Sequence, residues 1–409
     1  MYINKKNSLF ILILLGMVII LPKSAVIAQE NSDLQALVKG NNAFALDLYA
    51  QLKTQEGNLF LSPYSISTAL AMTFSGARGT TEKQMADVLH FTLEQEQLHS
   101  EFHDLQIQLK NYVKEGIELN IANALWFQTG YNLLKDFLEL TEEHYDAGLN
   151  HVDFAKDCEA ARRKINIWVE QKTNDKIQKL IKPGIINDLT CLVLTNAIYF
   201  KGEWVNQFEE ELTQENPFYI TPEITVDVPM MNQEDRFKYF ESDELQVLEV
   251  PYKGDDLSMV ILLPIKKDGL TELEDSVNTD RLQEWMNALA WRQVTVFFPK
   301  FTMTCEFRLG SALADMGMPI AFTGDADFSG MTGGTDLFIK KVVHKAFGDV
   351  SEEGTEAAAA TGVLMEGLTS VVEPTPPTVF RADRPFIFVI RDNHSGSVLF
   401  IGRLVDPSK

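Results

Sequence analysis

Cysteine is scarce in this chain: Cys158, Cys191 and Cys305 are the only three among 409 residues, and no two form a CxxC pair. That excludes a disulfide framework and a zinc ribbon, and leaves free buried thiols as the expectation, with one bridge as the alternative. Positive charge is short as well. Lys and Arg total 36 against 58 Asp and Glu, a net charge of −22 that repels phosphate backbones and anionic lipid, so neither nucleic acid nor a membrane surface is an expected partner. Long hydrophobic runs are missing too. The uncharged apolar run at residues 9–21 has 13 residues, where a spanning helix needs about 20. Catalytic signatures are also absent: there is no GxSxG, HExxH or P-loop, and no GxGxxG after a strand, so no enzyme is expected. The last absence is local, for residues 346–380 contain no Lys or Arg.

The short apolar run follows Lys5 and Lys6 and precedes Val26-Ile27-Ala28, the pattern of a secretory signal at residues 1–28 cleaved after Ala28. Loss of Lys5, Lys6 and Lys23 would take the net charge from −22 to −25 and deliver a secreted protein, extracellular or periplasmic. Hydrophobic residues make up 45% of the chain, enough to stabilise a fold through its core. Residues 33–89 read as helical, with Ser62 placed to cap a helix opened by Pro63 and residues 66–74 apolar almost all round. Leu98, Phe102, Leu105 and Leu109 recur at helical spacing, and Glu94, Glu96, Glu101 and Asp104 are expected on the solvent side. Strand signals come later: residues 190–200 and 257–264, the alternation at Val294, Val296 and Phe298, and residues 386–391 and 398–405 joined through Asn393-His394-Ser395-Gly396. The pattern predicts an α+β fold with mixed or antiparallel sheets, and no Gly/Ser-rich linker divides it into domains.

Two groupings suggest metals and are better read without them. His99 and His103 lie one helical turn apart with no third ligand indicated, which suits a solvated helix face. Asp325, Asp327 and Asp336 lack the spacing of a calcium loop and suit a surface turn. No metal or cofactor is expected.

What remains is Glu352-Glu353-Gly354-Thr355-Glu356-Ala357-Ala358-Ala359-Ala360-Thr361-Gly362. As a helix it is too short and has no large apolar side chain to pack. As a strand entering a space that opens transiently, it carries the small side chains such a space admits. It resembles the hinge of the inhibitory serpins. The resemblance extends over residues 33–407 through NLFLSPYSIS at 58–67, TNAIYFKGEW at 195–204, VHKA at 343–346, DRPFIF at 383–388 and VLFIG at 398–402.

That resemblance implies about eight to nine helices packed on three β-sheets, with an exposed reactive-centre loop at about 352–380. It implies a monomeric suicide-substrate inhibitor that forms a 1:1 covalent complex with a target protease, and carries the expectation of a prokaryotic source. The hinge is Glu352 to Thr361. Ser62, Ser65, Asn196 and His344 match the polar cluster where the central strands part, and Trp204, Lys300 and Glu352 match the point where the loop enters. Counting from Gly354 by the family's spacing puts the scissile bond between Leu368 and Thr369, with Thr369-Ser370 as runner-up. Counting back from Asp383-Arg384-Pro385 lands near Pro374, so the loop is about six residues longer than usual. Without Lys or Arg the loop disfavours trypsin-like proteases and favours chymotrypsin-, elastase- or subtilisin-like ones. The alternatives are a non-inhibitory carrier, chaperone or storage serpin, and an inhibitor of papain-like cysteine proteases. No heparin effect is expected, since residues 93–120 hold only Lys110 and Lys114 against six acidic residues.

Overall fold

The computed structural model describes residues 23–112, 116–145, 148–355 and 378–409, with side chains from Ser32 onward. The helices are α1 (Lys23–Leu52), α2 (Pro63–Phe74), α3 (Gly79–Leu89), α4 (Gln95–Tyr112), α5 (Lys135–Tyr145), α6 (Cys158–Lys172), α7 (Leu270–Ser276), α8 (Thr279–Ala288), α9 (Gly310–Met316) and the single turn α10 (Ser329–Thr332). The expected cleavage point, Ala28, falls inside α1. Among the described residues no helix is long and apolar enough to cross a membrane.

The strands form a six-stranded and a nine-stranded sheet. The first runs β10 (Phe301–Arg308), β11 (Lys341–Val350), β12 (Gly354–Thr355), β4 (Leu192–Glu203), β2 (Ile117–Gln128), β3 (Gly148–Val152), with β11 also pairing β4 directly. The second runs β1 (Leu59–Leu61), β15 (Val398–Leu404), β14 (Phe386–Asp392), β8 (Leu257–Pro264), β7 (Leu245–Pro251), β6 (Thr225–Glu241), β9 (Ala290–Pro299), β13 (Thr378–Arg381), with β5 (Gln214–Tyr219) on β6. Long β6 joins two groups: residues 238–241 pair β7, while residues 225–230 pair β5 and residues 230–239 pair β9. Counted as two on either side of β6, these strands and the six-stranded sheet make the expected three. The α+β class holds.

Local chemistry explains the central elements. Ser62 caps α2 by accepting from the Ser65 amide at 3.2 Å, Pro63 fills the first helical position, and all 12 residues of α2 are buried. That is the central helix its apolar surface required. β8 is buried along its whole length and lies between β7 and β14, as an uninterrupted apolar run demands. The two sheets meet at Phe60. Its ring stacks on Phe400 (centroids 5.1 Å) and Phe388 (5.8 Å), and rests against Gly348 of β11, where an added Cβ would lie 2.9 Å from it.

Two readings of the front half need correction. β2 is a 12-residue strand inside the six-stranded sheet, although the first strand signal in the sequence comes only at residue 190. α4 does bury Leu98, Phe102, Leu105 and Leu109, but His99 and Glu101, which flank that stripe, are buried with them, His99 against Tyr145 of α5.

Phe60→Ala should lower stability by about 3–5 kcal/mol, read as a fall in the denaturation midpoint, because it empties the contact between two sheets.

Candidate functional site

β4 and β11 run parallel, pairing Val193 through Tyr199 with Lys341 through Phe347, and in this register Asn196 lies opposite His344. Beyond Phe347 the two strands separate and β12 lies between them. Thr355 pairs with Val350 of β11 and with Gly202 of β4, and Gly354 pairs with Glu203. The close fit depends on two glycines. A Cβ on Gly354 would sit 2.0 Å from the Gly202 carbonyl oxygen, and one on Gly202 would sit 2.7 Å from both Phe200 and Tyr252. Thr355 is 1% exposed, and its hydroxyl lies 2.8 Å from that of Tyr252.

Above this wedge the expected trio is assembled. Lys300 Nζ is 2.6 Å from a Glu352 carboxylate oxygen, and the Thr213 hydroxyl donates to the other oxygen at 2.7 Å. Burial alone would raise the Glu352 carboxyl, but the hydrogen bonds from Lys300 and Thr213 outweigh it and hold the group below its usual value. The pair is half-buried: the Glu352 side chain is 8% exposed and that of Lys300 36%. Trp204 is buried, stacks on Tyr252 at 4.6 Å and donates its indole N–H to the Ser351 carbonyl at 3.0 Å. Its amide donates to Glu353 and the Phe208 amide to Glu352, each at 2.9 Å. The base of the loop is therefore tied down by its backbone as well as by one ion pair.

Below the wedge, Ser62, Ser65, Asn196 and His344 meet, all fully buried. The Ser62 amide can only donate, and it donates to His344 Nε2 at 3.1 Å, which leaves the ring proton on Nδ1, facing the Asn196 side-chain oxygen. The Asn196 amide group donates to the Ser65 carbonyl at 2.9 Å, to the Ser65 hydroxyl at 2.6 Å and to Asn123. Ser62 also donates its hydroxyl to the Leu399 carbonyl at 2.6 Å, so the network spans α2, both seam strands and β15. Burial pushes His344 down to about 3. A second proton on Nε2 would also set two donors face to face.

Sequence reasoning missed Asn123, Gly202, Thr213 and Tyr252. Gly202 lay within a quoted motif; the others carried no local signal. The expected hinge residues Glu356, Ala357, Ala358, Ala359, Ala360 and Thr361, and the reactive-bond candidates Leu368, Thr369 and Ser370, lie outside the described residues. His99 is not on a solvated face. It is buried, its Nδ1 lies 2.5 Å from the Tyr145 hydroxyl, and burial, helped by the neighbouring His144, pushes it down to about 3. Among the described residues no cluster of three or more His, Cys, Asp or Glu is arranged to hold a metal. Asp327 supports its turn by accepting from the Ser329 amide at 3.0 Å. All three cysteines are free; Cys191 is buried, Cys158 and Cys305 only partly so.

A family model described as Serpin (serine protease inhibitor) matches residues 39–407. The chain belongs to the serpin family. The leukocyte elastase inhibitor of Bos taurus is 44% identical over 384 residues, covering 91% of this chain and all of the relative. Human serpin B4 is 40% identical over 394 residues, again covering 91% of this chain and all of the relative. Uncleaved ovalbumin superposes with a TM-score of 0.82 at 30% identity, covering 91% of this serpin and all of ovalbumin. These relatives do not bear out the expected prokaryotic source.

In the unfolded serpin a histidine titrates near 6.5, so from about pH 6.5 down to about 3 the unfolded chain binds protons that His344 and His99 in the fold do not. Stability should fall on acidification through that window, by up to about 1.4 kcal/mol per pH unit for each histidine. Denaturation midpoints measured against pH should show a shallower slope in His344→Gln than in the parent.

Proposed function

We propose that this serpin is a secreted suicide-substrate inhibitor of a chymotrypsin-, elastase- or subtilisin-like serine protease. The observation that carries the reading is β12, two hinge residues seated between β4 and β11 above a seam that is still closed. A strand that starts in place needs only the parting of residues 341–347 from 193–199 to continue inward.

The protease's serine hydroxyl attacks the carbonyl carbon of Leu368, its proton passes to the Thr369 amine, and the peptide bond breaks as an ester forms. Freed at that end, the loop continues β12 down the seam, and the attached protease is carried away from where it docked. About 14 residues entering as strand span about 46 Å at roughly 3.3 Å each. At about 0.5–1.5 kcal/mol of net hydrogen bonding per residue, insertion releases on the order of 7–20 kcal/mol before the loss of chain entropy. That is enough to distort the protease's site, and a lost oxyanion hole leaves the ester unhydrolysed.

The missing Lys and Arg at residues 346–380 support a target that is not trypsin-like. The name of the bovine relative, leukocyte elastase inhibitor, favours elastase within the remaining set. Secretion rests on the signal pattern at residues 1–28, and the monomeric state and lack of a heparin effect rest on the sequence.

Mixing with elastase or chymotrypsin should give an SDS-stable 1:1 complex, and mass spectrometry of the released C-terminal fragment should place its first residue at Thr369. Cleavage without complex for every such protease would defeat the inhibitor reading in favour of a carrier or storage role. In Thr355→Arg a charged side chain would have to replace one packed against Tyr252, so this variant should be cut as a substrate and lose at least about tenfold in complex yield. Retained inhibition would contradict entry through this hinge.

A further inference from the structure

His99 and His103 lie one turn apart on α4, and the fold brings a third imidazole to them. The ring of His144, near the end of α5, lies 5.9 Å from that of His103 and 6.4 Å from that of His99, centre to centre. The other four of the seven histidines are each held by a hydrogen bond: His90 to Asp47, His151 to the Tyr131 carbonyl, His394 to Asp256, and His344 in the seam. The α4–α5 group differs. His99 Nε2 and His144 Nδ1 are both buried, and neither has a hydrogen-bond partner. Such atoms are uncommon in a fold, and two of them in neighbouring rings point to a group that the protein does not itself supply.

The surroundings favour a cation. Asp104, beside His103 in α4, and Glu143, beside His144 in α5, both act electrostatically on the His144 ring, and the whole chain carries a net charge of −22. Imidazole nitrogen is a ligand for zinc, copper and nickel, whereas calcium and magnesium take oxygen. Size then decides which rings take part. A metal–nitrogen bond of about 2.0–2.1 Å puts each ring centre about 3.2 Å from the ion, and two rings about 5.2 Å apart at the tetrahedral angle. His103 and His144 exceed that spacing by less than about 1 Å. His99 lies farther off and is fully buried, in keeping with the lack of a three-ligand cluster among the described residues. His103 and His144 are half-buried, which leaves the ion a way in from solvent.

We propose that His103 and His144 form a two-histidine site for a divalent transition-metal ion, which clamps α4 to α5. His144 binds through Nδ1, His103 supplies the second nitrogen, and water fills the remaining positions. With its own proton on Nδ1, toward Tyr145, His99 offers the Nε2 lone pair to a metal-bound water. Nothing in this depends on the inhibitory mechanism.

The test is titration of the full chain, first freed of metal with a chelator, with copper(II) and separately with zinc chloride, followed by calorimetry and, for copper, by electron paramagnetic resonance. Saturable one-to-one binding is expected, with nitrogen splitting in the copper spectrum and a melting temperature that rises as zinc saturates. His103→Gln and His144→Gln should each weaken binding at least about tenfold, reduce the nitrogen splitting and abolish the zinc-dependent rise. Unchanged affinity in both variants marks adventitious binding by surface carboxylates and overturns the site; so does displacement of zinc by an equal concentration of calcium. Absence of saturable binding leaves the two buried nitrogens to ordinary water and overturns it as well. Should His144→Gln fail to fold, His103→Gln, at a half-buried position of α4, carries the same expected loss.

Discussion

The seam between β4 and β11 is the constraint on which the rest depends. Along residues 341–347 it is an ordinary parallel ladder, and at its upper end Gly354 and Thr355 already divide it. One sheet therefore holds two arrangements at once, separated by a few residues. The His344 and Asn196 network braces the lower part of the seam, and Trp204, Tyr252, Thr213 and Lys300 pack around its upper end.

Under the proposed mechanism the seam opens once, and the chemistry of the clasp suits such a joint. Apolar packing across the seam would resist parting through area alone, while buried polar groups left unpaired cost more than they gain when paired. Ser62, Ser65, Asn123, Asn196 and His344 form a network satisfied in the closed state, and a returning strand brings its own amides and carbonyls. The small side chains of Gly354 and Thr355 show what the gap tolerates, for the neighbouring backbone approaches too closely for a Cβ at the first position. Acid acts on the same clasp, since the fold keeps His344 neutral through a range where an exposed histidine would be charged.

Much of the fold was legible because local patterns were unambiguous: the Ser62-Pro63 helix start, the apolar run of β8, the alternation in β9, and the turn at residues 393–396. β2 and β6 escaped because each carries polar residues where a strand signal should be strongest. β2 holds Glu118, Asn120 and Asn123 half-buried, and β6 exposes Glu234 and Arg236 along a half-covered surface. His99 was misplaced for a related reason: its burial depends on Tyr145, 46 positions away, which no periodicity within α4 can announce. The seam residues were found only through family resemblance. Trp204, Lys300 and Glu352 are far apart in the chain, and the fold alone brings them together, whereas Asn123, Thr213 and Tyr252 joined the site with no motif to mark them.

If the seam is a closed arrangement that a further strand would improve, its free energy is higher than that of the same chain after insertion. Thermal unfolding of the intact protein, and of protein nicked within residues 356–377 by a protease that it does not trap, measures this directly. A rise in melting temperature of several tens of degrees on nicking is the result expected of a chain that completes its sheet. An unchanged melting temperature, with the nicked loop left outside, would contradict the account at its centre.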